Sequence, residues 1–103
     1  MSAALTQGDI VRLSDREERF VVVSNNAYVR ATGTLHLCLL NAQGSSGPTH
    51  IRVRGVEGTQ GVVSCEQFRL VDPEIRGLIR VDHLSGRDVM EISDVIQGLF
   101  ENG

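Results

Sequence analysis

The chain has 103 residues and a formal net charge of −3, with 41% apolar and 22% charged residues. This size and composition are typical of one soluble globular domain, which we predict to span residues 1–103. The acidic balance argues against a nonspecific nucleic-acid coat protein, and no apolar run reaches the length of a membrane span. The N-terminal residues lack the basic and apolar regions of a signal peptide, so we expect a cytoplasmic protein without membrane contacts.

The two cysteines do not suggest a metal site. Cys38 and Cys65 are far apart and lack the spacing of metal ligands. In a reducing cytoplasm we expect both to be buried free thiols. A Walker loop, a dinucleotide fingerprint and a nucleophile elbow are also missing from the sequence. We therefore expect neither a bound metal nor a cofactor.

Positive charge is concentrated in one window of the chain. All ten basic residues are arginine, and no acidic residue lies between Glu18 and Glu57. The cationic and histidine residues of that window are Arg19, Arg30, His36, His50, Arg52 and Arg54. Because the guanidinium group matches the geometry of phosphate, the window favours an anionic ligand. A GC-rich genome would also explain the lack of lysine.

Six strands are predicted, over residues 8–13, 19–23, 35–40, 50–54, 62–68 and 78–81. The second predicted strand holds four consecutive apolar residues, so we expect it to be buried. The third predicted strand is apolar on both faces, so we expect it to be buried at the centre of the sheet. Between them, Asn25 or Asn26 caps a single helical turn over residues 27–30, which Gly33 closes. Residues 41–49 form a loop.

The C-terminal segment predicts an amphipathic helix over residues 86–100. Ser85 is the N-cap, Asp88 occupies the capping-box position, and Leu84 and Val89 fit a hydrophobic staple. The apolar residues at helical spacing are Val89, Ile92, Val95, Ile96, Leu99 and Phe100. Short strands followed by one helix predict a mostly β fold, built as a small, strongly bent sheet or barrel.

Polar residues on the fourth strand are the first candidates for chemistry. Ile51 and Val53 should face the core, so His50, Arg52 and Arg54 share the other face. That face is either a solvated surface or a track for phosphates.

Three further residues allow two interpretations each. Glu66 is either an exposed carboxylate that pairs with an arginine or a general acid–base group. Arg19, at the start of the buried second strand, either pairs with Glu17 or Glu18 or binds an anion. His36 lies in an apolar strand, where a histidine is more often a packed core residue than a functional one.

Three segments share motifs with one protein family. Residues 8–11 match "GDI(V/W)", residues 19–26 match "RP(A/V)VVVSN", and residues 61–67 match "GVVxCDQ", in that order along the chain. The capped terminal helix fits as well. With these motifs in register over nearly its whole length, the chain resembles the PemK/Kid/MazF toxins of bacterial toxin–antitoxin systems.

The resemblance implies a fold and a function. The fold is mostly β, an SH3-like small barrel of short antiparallel strands with a C-terminal α-helix, assembled as a homodimer. The function is that of a sequence-specific, metal-independent endoribonuclease, inhibited by a cognate antitoxin. Single-stranded RNA is cleaved by attack of the ribose 2′-OH on the adjacent phosphate, which needs a base, an acid and cations around the transition state.

The resemblance also assigns residues. Arg19 matches the family's arginine after the first loop, and Glu66 matches the aspartate of "CDQ", so these two are the candidate catalytic residues. The candidate substrate-binding residues are Gln43, Arg52, Arg54, Ser64 and Gln67.

The sequence departs from the family pattern at several positions. The first loop, residues 14–18, is short, Phe20 replaces the usual proline, and no hydroxyl follows the third strand until Ser45. These departures keep a second class open: a weakened relative that binds RNA, an antitoxin or another protein without cutting. A gyrase poison on a related barrel is a third, more remote class.

Overall fold

A computed structural model of the chain describes residues 5–25, 31–72 and 77–101. Its elements are β1 (Asp9–Leu13), β2 (Arg19–Val22), β3 (Leu35–Asn41), β4 (His50–Arg54), β5 (Gln60–Val71), β6 (Leu78–His83) and α1 (Gly86–Glu101). All six predicted strands and the terminal helix are confirmed. The predicted helical turn over residues 27–30 lies outside the described residues, whereas Gly33 adopts the left-handed conformation expected of a residue that closes a helix, with φ of 71°.

The strands form one antiparallel sheet in the order β4-β5-β3-β2-β1-β6. β3 is central, as its two apolar faces predicted. In the described part of the chain, the edge strands β4 and β6 meet only just beyond their ends, where Gly55 bridges Leu84 and the Val56 N–H donates to the His83 carbonyl at 2.8 Å. The fold is therefore mostly β, as expected, but its hydrogen-bonded sheet is not closed into the expected barrel.

The main core lies between the sheet and α1. Its buried members, contributed by the strands, the segment after β6 and the helix, are Ile10, Val21, Cys38, Leu40, Ile51, Val53, Val63, Cys65, Leu84 and Ile92. Val89, Val95, Ile96 and Leu99 of α1 pack against it, which confirms the predicted apolar stripe of the helix. Burying one such aliphatic side chain stabilises the fold by roughly 1.5–3 kcal/mol. Both cysteines are free and buried.

A second core covers the opposite face of β1, β2 and β3. Val11, Phe20, Val22, Leu35 and Leu37 are all buried there. Consecutive residues of β2 and β3 thus alternate between two apolar environments, because successive side chains of a strand point to opposite faces. This explains why the second and third strands read as continuous apolar runs.

The helix begins where its cap was predicted. The N–H of Asp88 donates to Ser85 Oγ at 3.3 Å. The Asp88 carboxylate accepts a hydrogen bond from the backbone N–H of Arg54 at 3.4 Å, so it links the first turn of α1 to the end of β4. In the described residues, the helix is not long and apolar enough to cross a membrane.

Candidate nucleic-acid interface

An open cavity of about 490 Å³ lies at the end of the sheet where β2 begins. Arg19 lines this cavity because its strand position pairs with Leu40 of β3. The other lining residues are Glu17, Glu18, Leu39, Leu40, Asn41, Ala42, Thr59 and Gln60. One guanidinium, two carboxylates and two side-chain amides therefore line a space that can hold a small polar group.

The charge of Arg19 is available to a ligand. Within residues 5–25, 31–72 and 77–101, Arg19 has no ion pair inside 4.0 Å. Glu18, one of its two expected partners, instead contacts Arg16 at 3.4 Å. The anion-binding interpretation of Arg19 is the one that this geometry favours.

Asp82 holds one wall of the cavity in place. Its carboxylate is 4% exposed and accepts hydrogen bonds from the backbone N–H groups of Glu57, Thr59 and His83 at 2.9, 2.9 and 2.7 Å. Burial alone would raise the pKa of Asp82, but the Thr59 hydroxyl and these three N–H groups lower it to about 2. The turn that carries Thr59 into the cavity is thus anchored by a buried, ionised carboxylate.

A second polar surface covers the outer face of β4. Ile51 and Val53 are buried and Arg52 and Arg54 are exposed, which confirms the predicted alternation. The Arg52 guanidinium donates to the Gly44 carbonyl at 3.4 Å and so reaches the loop after β3. We call the outer face formed by His50, Arg52 and Arg54 the cationic stripe.

Glu66 joins the cationic stripe through a histidine. Its Oε1 lies 2.5 Å from His50 Nε2, and both side chains are about two-fifths exposed, at 40% and 38%. Partial burial would raise the pKa of Glu66, but hydrogen bonds from the His50 ring, from its own backbone N–H and from the Thr49 hydroxyl outweigh this effect and lower it. Glu66 is therefore ionised at neutral pH.

The remaining predicted site residues, Ser64, Gln67 and Gln43, differ in their exposure to solvent. Ser64 lies opposite His50 in the β4–β5 pairing but is only 7% exposed. Gln67 is exposed and follows Glu66 along β5. Gln43 lies in the exposed loop, where its N–H donates to Asn41 Oδ1 at 2.9 Å. Of these three, Ser64 is the one whose side chain does not face open solvent.

His36 behaves as a packed residue. It is half-buried, and its ring packs edge-on against Phe68, with centroids 6.3 Å apart and planes at 74°. Its backbone N–H donates to Ser24 Oγ at 3.2 Å. The packing interpretation of this histidine fits the structure. In the described ranges, no three His, Cys, Asp or Glu side chains are grouped as a metal site would require.

A sequence profile of the PemK-like, MazF-like toxins of type II toxin–antitoxin systems matches residues 6–100. The chain belongs to this toxin family. A comparison with curated proteins finds no significant match.

Solved structures of such toxins share the fold. A chain of MazE–MazF from Deinococcus radiodurans is 20% identical with a TM-score of 0.82, over 97% of this chain and 99% of that chain. A mycobacterial endoribonuclease in complex with its cognate antitoxin is 17% identical with a TM-score of 0.76, over 95% and 96%. Toxin MazF-mt6 of Mycobacterium tuberculosis is 14% identical with a TM-score of 0.68, over 92% and 97%. At these identities, the likeness establishes the fold.

In this toxin-family chain, Arg19 and Glu66 do not share a cavity. β3 lies between their strands, so their backbones are two strand spacings apart, roughly 9–10 Å across the sheet. Arg19 alternates with Phe20 and points to the main-core side, whereas Glu66 bonds to His50 on the outer face. The structure brings Glu66 together with the cationic stripe and leaves Arg19 at a separate cavity.

Sequence reasoning missed part of the toxin's Arg19 cavity. Glu17 was considered only as a salt-bridge partner, and Thr59 and Gln60 lie before the predicted fifth strand, where no role was assigned to them. They reach the cavity because β5 pairs with β3, with Val62 opposite Asn41. A pairing between strands distant in sequence leaves no local signal, so only the topology could have identified them.

Proposed function

We propose that the chain is a sequence-specific, metal-independent endoribonuclease of a toxin–antitoxin system, which cleaves single-stranded RNA by attack of the 2′-OH on the adjacent phosphate. The observation that carries the proposal is the Arg19 cavity, in which the described residues leave the guanidinium without an ion pair. A cation placed in this way can bind a phosphate of the RNA and offset its charge. Membership of the toxin family supports the same conclusion.

The lining of the cavity suits single-stranded RNA. Asn41 and Gln60 each present an amide with donors and an acceptor beside Arg19. Sequence-specific RNA recognition mostly uses unstacked bases, whose edges are accessible to such side chains only in single strands. We propose that the amides read a base while Arg19 binds the neighbouring phosphate.

The cationic stripe extends the proposed interface. Arg52 and Arg54 bind phosphates of the flanking RNA, Glu66 is the carboxylate of the reaction centre, and Gln43 and Gln67 contact the substrate from the loop and from β5. The proposed contribution of Ser64 is through its position beside His50, since its side chain is buried. We further propose a homodimer of SH3-like protomers, a cognate antitoxin as inhibitor, and a cytoplasmic location.

A second candidate function is a family member that binds RNA or an antitoxin without cutting. The observation in its favour is the separation of Arg19 and Glu66, which lie two strands apart and on different faces. The short first loop, residues 14–18, also favours binding without cleavage, because less of the chain is available to cover a substrate.

Cleavage of a long single-stranded RNA in EDTA separates the two functions. We expect fragments that end in 2′,3′-cyclic phosphate, and we expect Arg19→Ala to slow cleavage by on the order of 10²-fold or more. Arg87→Ala, which removes an exposed arginine of α1, is the matched control and should cleave normally. If the wild-type protein binds RNA but cuts no sequence in a randomised pool, the binding-only function replaces the ribonuclease.

A further inference from the structure

His50 and Glu66 form an arrangement that the ribonuclease proposal does not yet use. We propose that His50 takes the proton from the attacking 2′-OH and that Glu66 is the positioning residue that orients its ring. This inference rests on the proposed ribonuclease function and reassigns the proton transfer from Glu66 to its neighbour.

The hydrogen bond between the two residues fixes the tautomer of His50. An ionised carboxylate only accepts hydrogen bonds, so the 2.5 Å contact between Glu66 Oε1 and His50 Nε2 requires the hydrogen on Nε2. In the neutral ring, Nδ1 then carries the free lone pair. With its side chain 38% exposed, His50 is open to a ligand. A carboxylate that orients a histidine in this way is a recurrent device of acid–base catalysis.

The backbone around the pair is held in place. His50 exchanges two hydrogen bonds with Gly47, at 2.9 and 3.2 Å, and the Cys65 N–H donates to the Thr49 carbonyl at 2.9 Å. The Thr49 hydroxyl and the backbone N–H of Glu66 also bond to the Glu66 carboxylate. Both members of the pair therefore sit on the rigid β4–β5 hairpin, which is what a general base needs to keep a constant distance from its substrate.

The same hydrogen bonds make Glu66 a poor proton carrier. Its carboxylate already accepts from three donors, so most of its lone pairs are occupied and its basicity is reduced. Histidine has no such restriction at Nδ1 and is the residue type most often used for proton transfer. Arg52, two residues further along the same strand face, stands roughly 7 Å from His50 along the strand and supplies a positive charge for the phosphate.

The proposed step balances without a further reagent. The 2′-O–H bond breaks as its proton moves to His50 Nδ1, the 2′-oxygen forms a bond to phosphorus, and the bond between phosphorus and the 5′-oxygen breaks. The leaving 5′-oxygen keeps the electron pair and takes a proton from water, and the imidazolium returns its proton to the hydroxide left behind. The products are a 2′,3′-cyclic phosphate and a 5′-hydroxyl.

The cleavage kinetics of variants at His50 and Glu66 test the assignment. His50→Gln should slow RNA cleavage by on the order of 10²–10⁴-fold. Glu66→Gln keeps an oxygen that accepts from Nε2–H but removes the charge, so its kcat should fall, but by less than that of His50→Gln. This loss should appear in kcat and leave KM for RNA unchanged, because Glu66 acts on the ring of His50 and not on the substrate. His50→Ala should regain activity when imidazole is added, and circular dichroism checks that each variant is folded.

The outcomes separate the two proposals. If the wild type cuts and His50→Gln cuts equally well, or if Glu66→Gln abolishes cleavage while His50→Gln is nearly normal, the inference is overturned and the ribonuclease function stands. If Glu66→Gln keeps the wild-type kcat, the two side chains form only a surface ion pair, and the positioning role of Glu66 is overturned. If the wild type cuts no RNA, the ribonuclease proposal fails first and takes the inference with it.

Discussion

Gly55 lies directly against the carboxylate of Asp82, so closely that a Cβ at residue 55 would overlap its carboxyl carbon and both oxygens. This glycine is required for the close approach of two segments, since its φ is not in the left-handed region. The contact lies where the edge strands β4 and β6 meet, at the bridge from Gly55 to Leu84. A single missing side chain thus permits the junction between the two edges of the sheet.

Adding a methyl group at residue 55 should destabilise the protein. We expect Gly55→Ala to lower the free energy of unfolding by about 2 kcal/mol or more, because overfilling a packed site displaces the buried carboxylate. Urea unfolding followed by circular dichroism measures the change. Gly86→Ala, at a position where a Cβ meets nothing within 4 Å, is the control and should be nearly neutral. Equal stability of the two variants would show that the junction adapts freely.

Asp82 should make stability depend on pH in the acidic range. Its pKa is lowered from 3.8 to about 2 on folding, so it contributes roughly 2 kcal/mol at neutral pH. A lowered carboxyl pKa stabilises the fold above the unfolded value, and this contribution is lost as the pH falls from about 4 to about 2. The difference in unfolding free energy between wild type and Asp82→Asn should therefore shrink over this range. A difference that stays constant down to pH 2 would assign the effect to packing alone.

The buried thiols should be unreactive in the folded protein. Burial, reinforced by the nearby Cys65 and Glu66, raises the pKa of Cys38 to about 12, and burial with the charges of Glu66 and Glu91 raises that of Cys65 to about 11. Only thiolates react rapidly with disulfide reagents. At pH 8 we expect no fast reaction with Ellman's reagent in buffer and two reactive thiols per chain in urea. Rapid labelling of one cysteine in the folded state would contradict this burial.

An acidic antitoxin segment should bind along the cationic stripe, because carboxylates can replace phosphates as partners of arginine. Arg52→Ala combined with Arg54→Ala should weaken binding to the purified antitoxin by on the order of tenfold or more at low salt. Affinity of the wild type should fall steeply with salt, and the double variant should show a shallower dependence. Arg16→Ala combined with Arg87→Ala removes two other exposed arginines and serves as the control. Equal losses in both double variants would indicate attraction by overall charge rather than by this face.

Local patterns predicted the elements well because each rests on residues close in sequence. The alternation in β4 places Ile51 inside and Arg52 outside, and the capping residue Ser85 marks the start of α1 within one residue. β5 was predicted too short, since it begins at Gln60 and ends at Val71. Its exposed second half is held by backbone pairing with β3, and such pairing needs no apolar alternation.

The candidate site was predicted less completely, for a reason of geometry. Arg19 and Glu66 each belong to a recognisable motif, but nothing in either motif encodes the strand that lies between them. The partner of Glu66 is His50, which was predicted only as part of a charged strand face. The expected closed barrel was likewise beyond local patterns, because closure depends on whether the two outermost strands of the sheet meet.

Thr59 links the Arg19 cavity to the buried carboxylate behind it, since it lines the cavity and its N–H and hydroxyl both bond to Asp82. Hydrogen bonds are directional, so they set the orientation of this wall more narrowly than apolar contacts would. A substitution at Asp82 or Gly55 can therefore shift the Thr59 wall and change which substrates fit beside Arg19. The residues that line the cavity would themselves be unchanged. The selectivity of the cavity thus depends in part on Asp82 and Gly55, which do not line it.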